Sequence, residues 1–196
     1  MTTIFCVDDN PDLVELLAEL LKMTGYEVRT APGGAECLRM LEDKGFHPDL
    51  ILLDIMMEPV DGWETLRSIR DNPRTRDIPI AMLTGKHPTM SEAGLYGPMI
   101  DDYLMKPYYP RQIDEVIRHI LARADHVREV IQKARDHGVE GQVLSDYQRL
   151  ASTVEVLKKL KEIIGTIEPF HDDLISKAED RFAKIREQFA KSGVQA

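Results

Sequence analysis

Cysteine is nearly absent: Cys6 and Cys37 are the only two in 196 residues. Their spacing makes no metal motif, and two isolated thiols give no disulfide framework. They are expected as reduced, buried groups of a cytoplasmic protein. No apolar run approaches the ~20 residues that a bilayer span needs. Met1-Thr2-Thr3-Ile4 runs straight into a strand-like segment with no basic region and no cleavage site, so no secretion signal is expected. An excess of positive charge is missing too. The formal net charge is −9. Residues 1–124 hold 13 Lys and Arg against 21 Asp and Glu, a balance of −8, and residues 125–196 hold 12 against 13, a balance of −1. Nucleic-acid binding leans on cationic surface, so it is not expected here. What remains, at 43% hydrophobic and 30% charged residues, suits one packed domain with an extension, or two small domains.

Short apolar runs alternate with helical periodicity over the first hundred residues. Ile4 to Val7 ends in Asp8-Asp9. Pro11 opens a helix with Leu13, Leu16, Leu17, Leu20 and Leu21 at helical spacing, stopped by Gly25. Tyr26 to Thr30 reads as a second strand and Gly34 to Leu41 as a helix. Leu50 to Leu53 is a continuous apolar strand running into Asp54, as in strands buried on both faces. Trp63 to Ile69 is helical. Ile78 to Leu83 runs into Thr84, and a fifth strand within Ile100 to Met105 runs into Lys106. The pattern predicts an α/β fold with a five-stranded, doubly wound parallel sheet. Ligands in such folds sit beyond the carboxyl ends of the strands. Asp8, Asp9, Asp54, Thr84 and Lys106 all fall there.

The fifth helix does not end where a compact domain would. Ile113, Ile117, Ile120, Ala124, Val127, Ile131 and Ala134 form a heptad-like stripe up to Gly138. A helix from Arg111 to His137 would be about 40 Å long at ~1.5 Å per residue. A second helix is expected from about Gln142, with Val143, Tyr147, Leu150, Val154, Leu157 and Ile164 on one face. A third carries Phe170 to Phe189. The division expected is thus residues 1–124 and an all-α extension, 125–196, continuous with the fifth helix. That extension reads as a helical hairpin or a surface for self-association or a partner.

Three carboxylates at neighbouring strand ends repel, which raises at least one pKa. A hard divalent cation resolves this, and Mg²⁺ prefers carboxylate oxygen. Such an ion neutralises charge on a transferring phosphoryl group. Lys106 adds a fixed positive charge, Thr84 a hydroxyl, and Gly85 leaves room. Each residue alone is commonplace: Asp-Asp before a helix is often a cap, and Lys-Pro is frequent. Their joint occurrence at strand ends is what points to phosphoryl chemistry.

Val7-Asp8-Asp9-Asn10-Pro11, Leu53-Asp54-Ile55-Met56-Met57 with Asp61-Gly62-Trp63-Glu64, Leu83-Thr84-Gly85 and Asp101 to Pro107 together resemble the receiver domains of two-component response regulators. The resemblance covers about residues 2–124. It implies the flavodoxin-like receiver fold and phosphorylation of Asp54 by a histidine kinase. It also implies Mg²⁺ on Asp8, Asp9, Asp54 and the backbone carbonyl of Met56, and a switch pair of Thr84 and Tyr103. The expected role is a signalling switch, not an enzyme acting on an external substrate. Pro59 falls one residue later than the family's usual proline, at Glu58. Pro88 to Pro98, with Gly94 and Gly97, implies a short or irregular fourth helix. Val116 stands where the transcription-factor branch carries an arginine for its dimer ion pairs.

Two rival functions differ in kind. A haloacid-dehalogenase-type phosphatase also uses Asp, Mg²⁺, Thr and Lys, but its nucleophile follows the first strand in an Asp-x-Asp pattern that Asp8-Asp9 does not make. A DNA-binding regulator with a cryptic output unit conflicts with the tail's charge. Phe170-His171-Asp172-Asp173-Leu174 loosely matches a kinase phosphoacceptor histidine box, but the rest of that box is missing and Pro169 puts His171 at a helix start.

Overall fold

A computed structural model describes residues 1–196. The strands are β1 (Thr3–Val7), β2 (Glu27–Ala31), β3 (Leu50–Asp54), β4 (Ile80–Thr84) and β5 (Asp102–Met105). The helices are α1 (Pro11–Met23), α2 (Gly34–Glu42), α3 (Gly62–Asp71), α4 (Met90–Tyr96), α5 (Pro110–Asp136), α6 (Gln142–Ile164) and α7 (Asp173–Lys191), with a single 3-10 turn at Gly97–Met99. All five strands pair in parallel in the order β2-β1-β3-β4-β5. The order reverses at β1 and β3, and the crevice beyond their carboxyl ends is where Asp8, Asp9 and Asp54 lie.

The chain forms two compact units. One comprises Met1–His87 with Asp102–Leu121, the other Pro88–Asp101 with Ala122–Ala196. In the first, β3 and β4 are buried at every residue. Ile4, Cys6, Leu50, Leu52, Ala81 and Leu83 face the apolar stripes of α1 (Val14, Leu17, Leu21) and α5 (Ile113, Ile117, Ile120). Each such aliphatic side chain contributes about 1.5–3 kcal/mol by leaving water.

Local sequence sets the helix starts. Asn10 caps α1, its Oδ1 accepting from the Asp12 and Leu13 amides, and Pro11 takes the first helical position. Asp61 caps α3 through the Glu64 amide at 2.8 Å. Thr89 and Glu92 form a reciprocal capping box at α4. α4 is short and passes into the 3-10 turn, as the proline and glycine content of Pro88 to Pro98 implies. This turn is capped by Ile100, and β5 then runs from Asp102 to Met105, within the segment read from the sequence. β4 begins at Ile80 because Pro79 has no N–H for the ladder, although its carbonyl still accepts from Ile51 at 2.9 Å.

In the second unit, Val127, Val130, Ile131, Leu144, Tyr147, Leu150, Ala178, Ile185 and Phe189 make one core. Tyr147 lies between Phe182 and Phe189, with ring centroids at 5.3 and 5.0 Å. α6 is buried more widely than the single stripe expected. Val143 and Val154 are only half-buried, whereas Ser152, Thr153, Val156 and Leu160 are buried as well. The reason is that α6 is covered twice, by α7 and by α4 with its 3-10 turn. α7 starts at Asp173, so Phe170 lies ahead of it and packs on the core from the connecting segment. No helix is long and apolar enough to cross a membrane.

Candidate functional site

β1 delivers Asp8 and Asp9 and β3 delivers Asp54, with β1 and β3 in register from Ile4 opposite Leu50 to Val7 opposite Leu53. One carboxylate oxygen from each of the three lies within 4.8 Å of the others. Asp8 and Asp54 are buried and Asp9 is exposed. Lys106, just past β5, reaches back with Nζ 2.7 Å from Asp8 Oδ2 and 3.2 Å from Asp54 Oδ2. Its backbone amide donates to the Thr84 carbonyl at 2.7 Å, which ties the ends of β4 and β5 together.

The two buried carboxylates are also organised by main chain. Asp54 Oδ1 accepts from the Ile55 amide at 2.8 Å, and Asp8 Oδ1 from the Asn10 amide at 2.9 Å. Asp9 Oδ2 accepts from the Glu58 amide at 3.2 Å, across 49 residues of chain. Burial pushes the Asp54 carboxyl above its ordinary 3.8, against the pull of Lys106 and with a further push from Asp8. For Lys106, burial acts to lower the pKa, but the hydrogen bond to Asp8 and the charges of Asp54 and Asp8 outweigh it, so the ammonium is held above its ordinary 10.5. The site therefore combines clustered hard oxygen donors with a committed cation. Such a donor set fits Mg²⁺ and an incoming phosphoryl group.

Thr84 is fully buried, and its Oγ1 accepts from the Lys86 amide at 3.0 Å. Tyr103 is 1% exposed and its phenol donates to the Lys86 carbonyl at 3.0 Å. Thr84 and Tyr103 are thus both hydrogen-bonded to the backbone of one residue, Lys86. Met56 follows Asp54 with its side chain 60% exposed, and its backbone hydrogen-bonds the Asp54 carboxylate. The Glu58–Pro59 and Lys106–Pro107 peptides are cis. A Cβ on Gly85 would meet nothing within 4 Å. His171 lies outside this site, exposed, just before the N-cap of α7.

Sequence reasoning gave no role to Gly62. A Cβ there would lie 2.1 Å from the Asp54 carbonyl oxygen and 2.7 Å from Ile55 Cα. The Gly62 amide donates to the Ile55 carbonyl at 2.9 Å, folding the loop after Asp54 back on itself. The Asp61-Gly62 pair at a helix start was the only available signal. It identifies a cap but not a backbone approach from eight residues earlier.

The response regulator receiver domain family model matches residues 4–118, and the chain belongs to that family. The Bacillus subtilis alkaline phosphatase synthesis transcriptional regulatory protein PhoP is 33% identical over 168 residues, covering 85% of this chain and 68% of PhoP. The chain spans about half the length of most of the curated relatives it matches. The N-terminal domain of a response regulator receiver protein from Methanoculleus marisnigri JR1 has a similar structure at 50% identity and a TM-score of 0.51, covering 62% of this chain and 98% of that one. TrrA of Thermotoga maritima, solved in complex with Mg²⁺-BeF, is 32% identical with a TM-score of 0.54, covering 61% of this chain and 99% of that one.

Proposed function

We propose that this response regulator takes a phosphoryl group on Asp54 from the phosphohistidine of a histidine kinase and passes the signal on through its helical C-terminal unit. The observation that carries the reading is the meeting of Asp8, Asp9 and Asp54 within 4.8 Å, with Lys106 at 2.7 and 3.2 Å from two of them. An Asp54 oxygen attacks the phosphorus, the new P–O bond forms, the P–N bond breaks and the kinase imidazole leaves. Lys106 neutralises charge on the arriving oxygens, and Thr84 donates its hydroxyl to one of them. Preorganised donors of this kind typically contribute about 10²–10³ in rate each. Asp8, Asp9, Asp54 and the Met56 carbonyl would hold Mg²⁺, which would supply charge neutralisation on the phosphoryl oxygens. Thr84 and Tyr103 act as the switch pair. The protein works in the cytoplasm, in keeping with its two buried free thiols, and acts as a switch without turning over an external substrate.

The test is incubation with acetyl phosphate and Mg²⁺ followed by peptide mapping of the label. Stoichiometric label on Asp54 supports the reading; label elsewhere overturns it, and steady hydrolysis of an added phosphate ester indicates a phosphatase. A DNA-binding output is favoured by the names of the curated relatives, which are those of transcriptional regulators, PhoP among them. The 12 to 13 charge balance of residues 125–196 opposes it. Partner binding or self-association is the preferred output, and salt-dependent DNA binding would discriminate.

A further inference from the structure

Residues of α4, its 3-10 turn, α6 and α7 line a cavity of about 250 Å³, all of it within the unit made of Pro88–Asp101 and Ala122–Ala196. At ~30 Å³ per water this is room for about eight waters, or for a ligand of about ten heavy atoms. Its floor is aliphatic. Leu150, Leu157 and Ala178 are buried there and Leu174 is half-buried. Thr153 brings the one hydroxyl of the lining, and its Oγ1 already donates to the Arg149 carbonyl at 2.8 Å. The floor therefore offers no free donor, and no aromatic ring lines it for another ring to stack on.

Glycine keeps one wall open. Gly94 lies inside α4 with no left-handed backbone to accommodate, and glycine is among the poorest helix formers. A Cβ there would meet only Leu174 Cδ1, at 3.7 Å, an ordinary contact. Neither the backbone nor a close approach calls for glycine at this position. What it provides is space at the cavity wall.

The mouth is cationic. Arg149 of α6 and Lys177 and Arg181 of α7 line it, against a single carboxylate, Asp146. Lys177 is taken up by Asp173 at 2.8 Å. The two guanidiniums share Asp146 at 3.7 and 3.6 Å, both beyond hydrogen-bonding distance. Asp146 Oδ1 instead accepts from Gln142 Nε2 at 3.2 Å. Two exposed guanidiniums thus stand over an apolar floor with unused N–H donors and one positive charge in excess.

We propose that this cavity is a ligand site for an aliphatic carboxylate of about eight carbons, with its chain on the leucines and its carboxylate between Arg149 and Arg181. The guanidinium fork matches a carboxylate, and the apolar floor rejects a polar body such as a sugar. The site is separate from the strand-end carboxylates and does not rest on the phosphoacceptor reading of Asp54.

Octanoate is the probe, titrated into the full chain by calorimetry. Octylammonium and 1-octanol carry the same chain with the opposite charge or none. Octanoate is expected to bind once per chain and at least about tenfold more tightly than either, as one charge-assisted hydrogen bond supplies. Arg149→Gln and Arg181→Gln are each expected to weaken octanoate about tenfold. Their unfolding midpoints in urea are expected to stay unchanged, because both side chains are exposed and their ion pairs are loose. Gly94→Leu fills the open wall and is expected to lose octanoate binding; should it disturb folding, the two arginine variants still decide. No saturable binding of octanoate, equal affinity for octanoate and octylammonium, or undiminished octanoate affinity in the doubly substituted Arg149→Gln, Arg181→Gln protein overturns the site.

Discussion

Lys106 Nζ sits 2.7 Å from Asp8 Oδ2, closer than its 3.2 Å separation from Asp54. The lysine is thus held by a carboxylate other than the one proposed as acceptor. This keeps a cation beside Asp54 without committing it wholly to that side chain, so Asp54 retains its nucleophilic oxygen.

Removal of the acceptor is the first consequence to measure. Asp54→Asn is expected to abolish labelling by acetyl phosphate while the protein still folds. Asp54 is buried with its carboxyl pKa pushed up by burial, so an amide of the same shape relieves a desolvation cost, and Lys106 keeps its Asp8 partner. Mass spectrometry of the intact protein checks this. Label retained at wild-type stoichiometry would remove Asp54 from the mechanism.

Asp9→Ala separates metal binding from folding. Asp9 is exposed and its one described hydrogen bond is to the Glu58 amide. The stability change is expected within about 0.5 kcal/mol, as for most surface substitutions. Mg²⁺-dependent labelling of Asp54 is expected to disappear. Unaltered Mg²⁺ affinity, read by titration, would contradict the proposed site.

Gly62 and Gly85 form a contrasting pair. Gly62→Ala drives a Cβ into the backbone at Asp54 and Ile55, at 2.1 and 2.7 Å, where nothing can rotate away. It is expected to cost about 3 kcal/mol, at the upper end for overpacking, and to disturb the acceptor loop. Gly85→Ala meets open space and is expected to leave stability within about 0.5 kcal/mol. Any slowing of Asp54 labelling would then report crowding of the phosphoryl group. Denaturant titration of both variants tests the pair, and equal stability would refute the close approach at Gly62.

The buried thiols predict an alkaline weakness. Burial pushes both Cys6 and Cys37 up to about 12, with Asp8 adding to the rise at Cys6. The folded value exceeds the unfolded one, so the stabilisation is fully present below the ordinary 9.0 and is lost as pH rises toward about 12. Each thiol is expected to remove about 1.4 kcal/mol for each pH unit above its unfolded value. Replacing Cys37 with Ala is expected to flatten that decline. Denaturant midpoints measured between neutral and strongly alkaline pH check it, and an identical slope in the variant would rule the thiol out.

The fold class and the strand-end residues were legible in the sequence because both are short-range signals. A buried parallel strand must be continuously apolar, as Leu50 to Leu53 is, and its polar terminator must then lie at the sheet edge. The caps at Asn10 and Asp61 and the stop at Gly25 likewise depend on neighbours a few residues away. Sequence alone also gave α5 its length, through a stripe that keeps its spacing from Ile113 to Ala134. What it could not give were contacts between residues far apart in the chain. The stripe read on α6 missed Val156 and Leu160 because single-face periodicity assumes one partner, and α6 has two. The close approach of Gly62 to the Asp54 carbonyl and of Gly97 to Leu157 are steric facts between segments, with no local signature beyond a glycine. Packing alone decided that Pro88–Asp101 groups with the C-terminal helices, where Gly97 lies against Leu157 and Leu160.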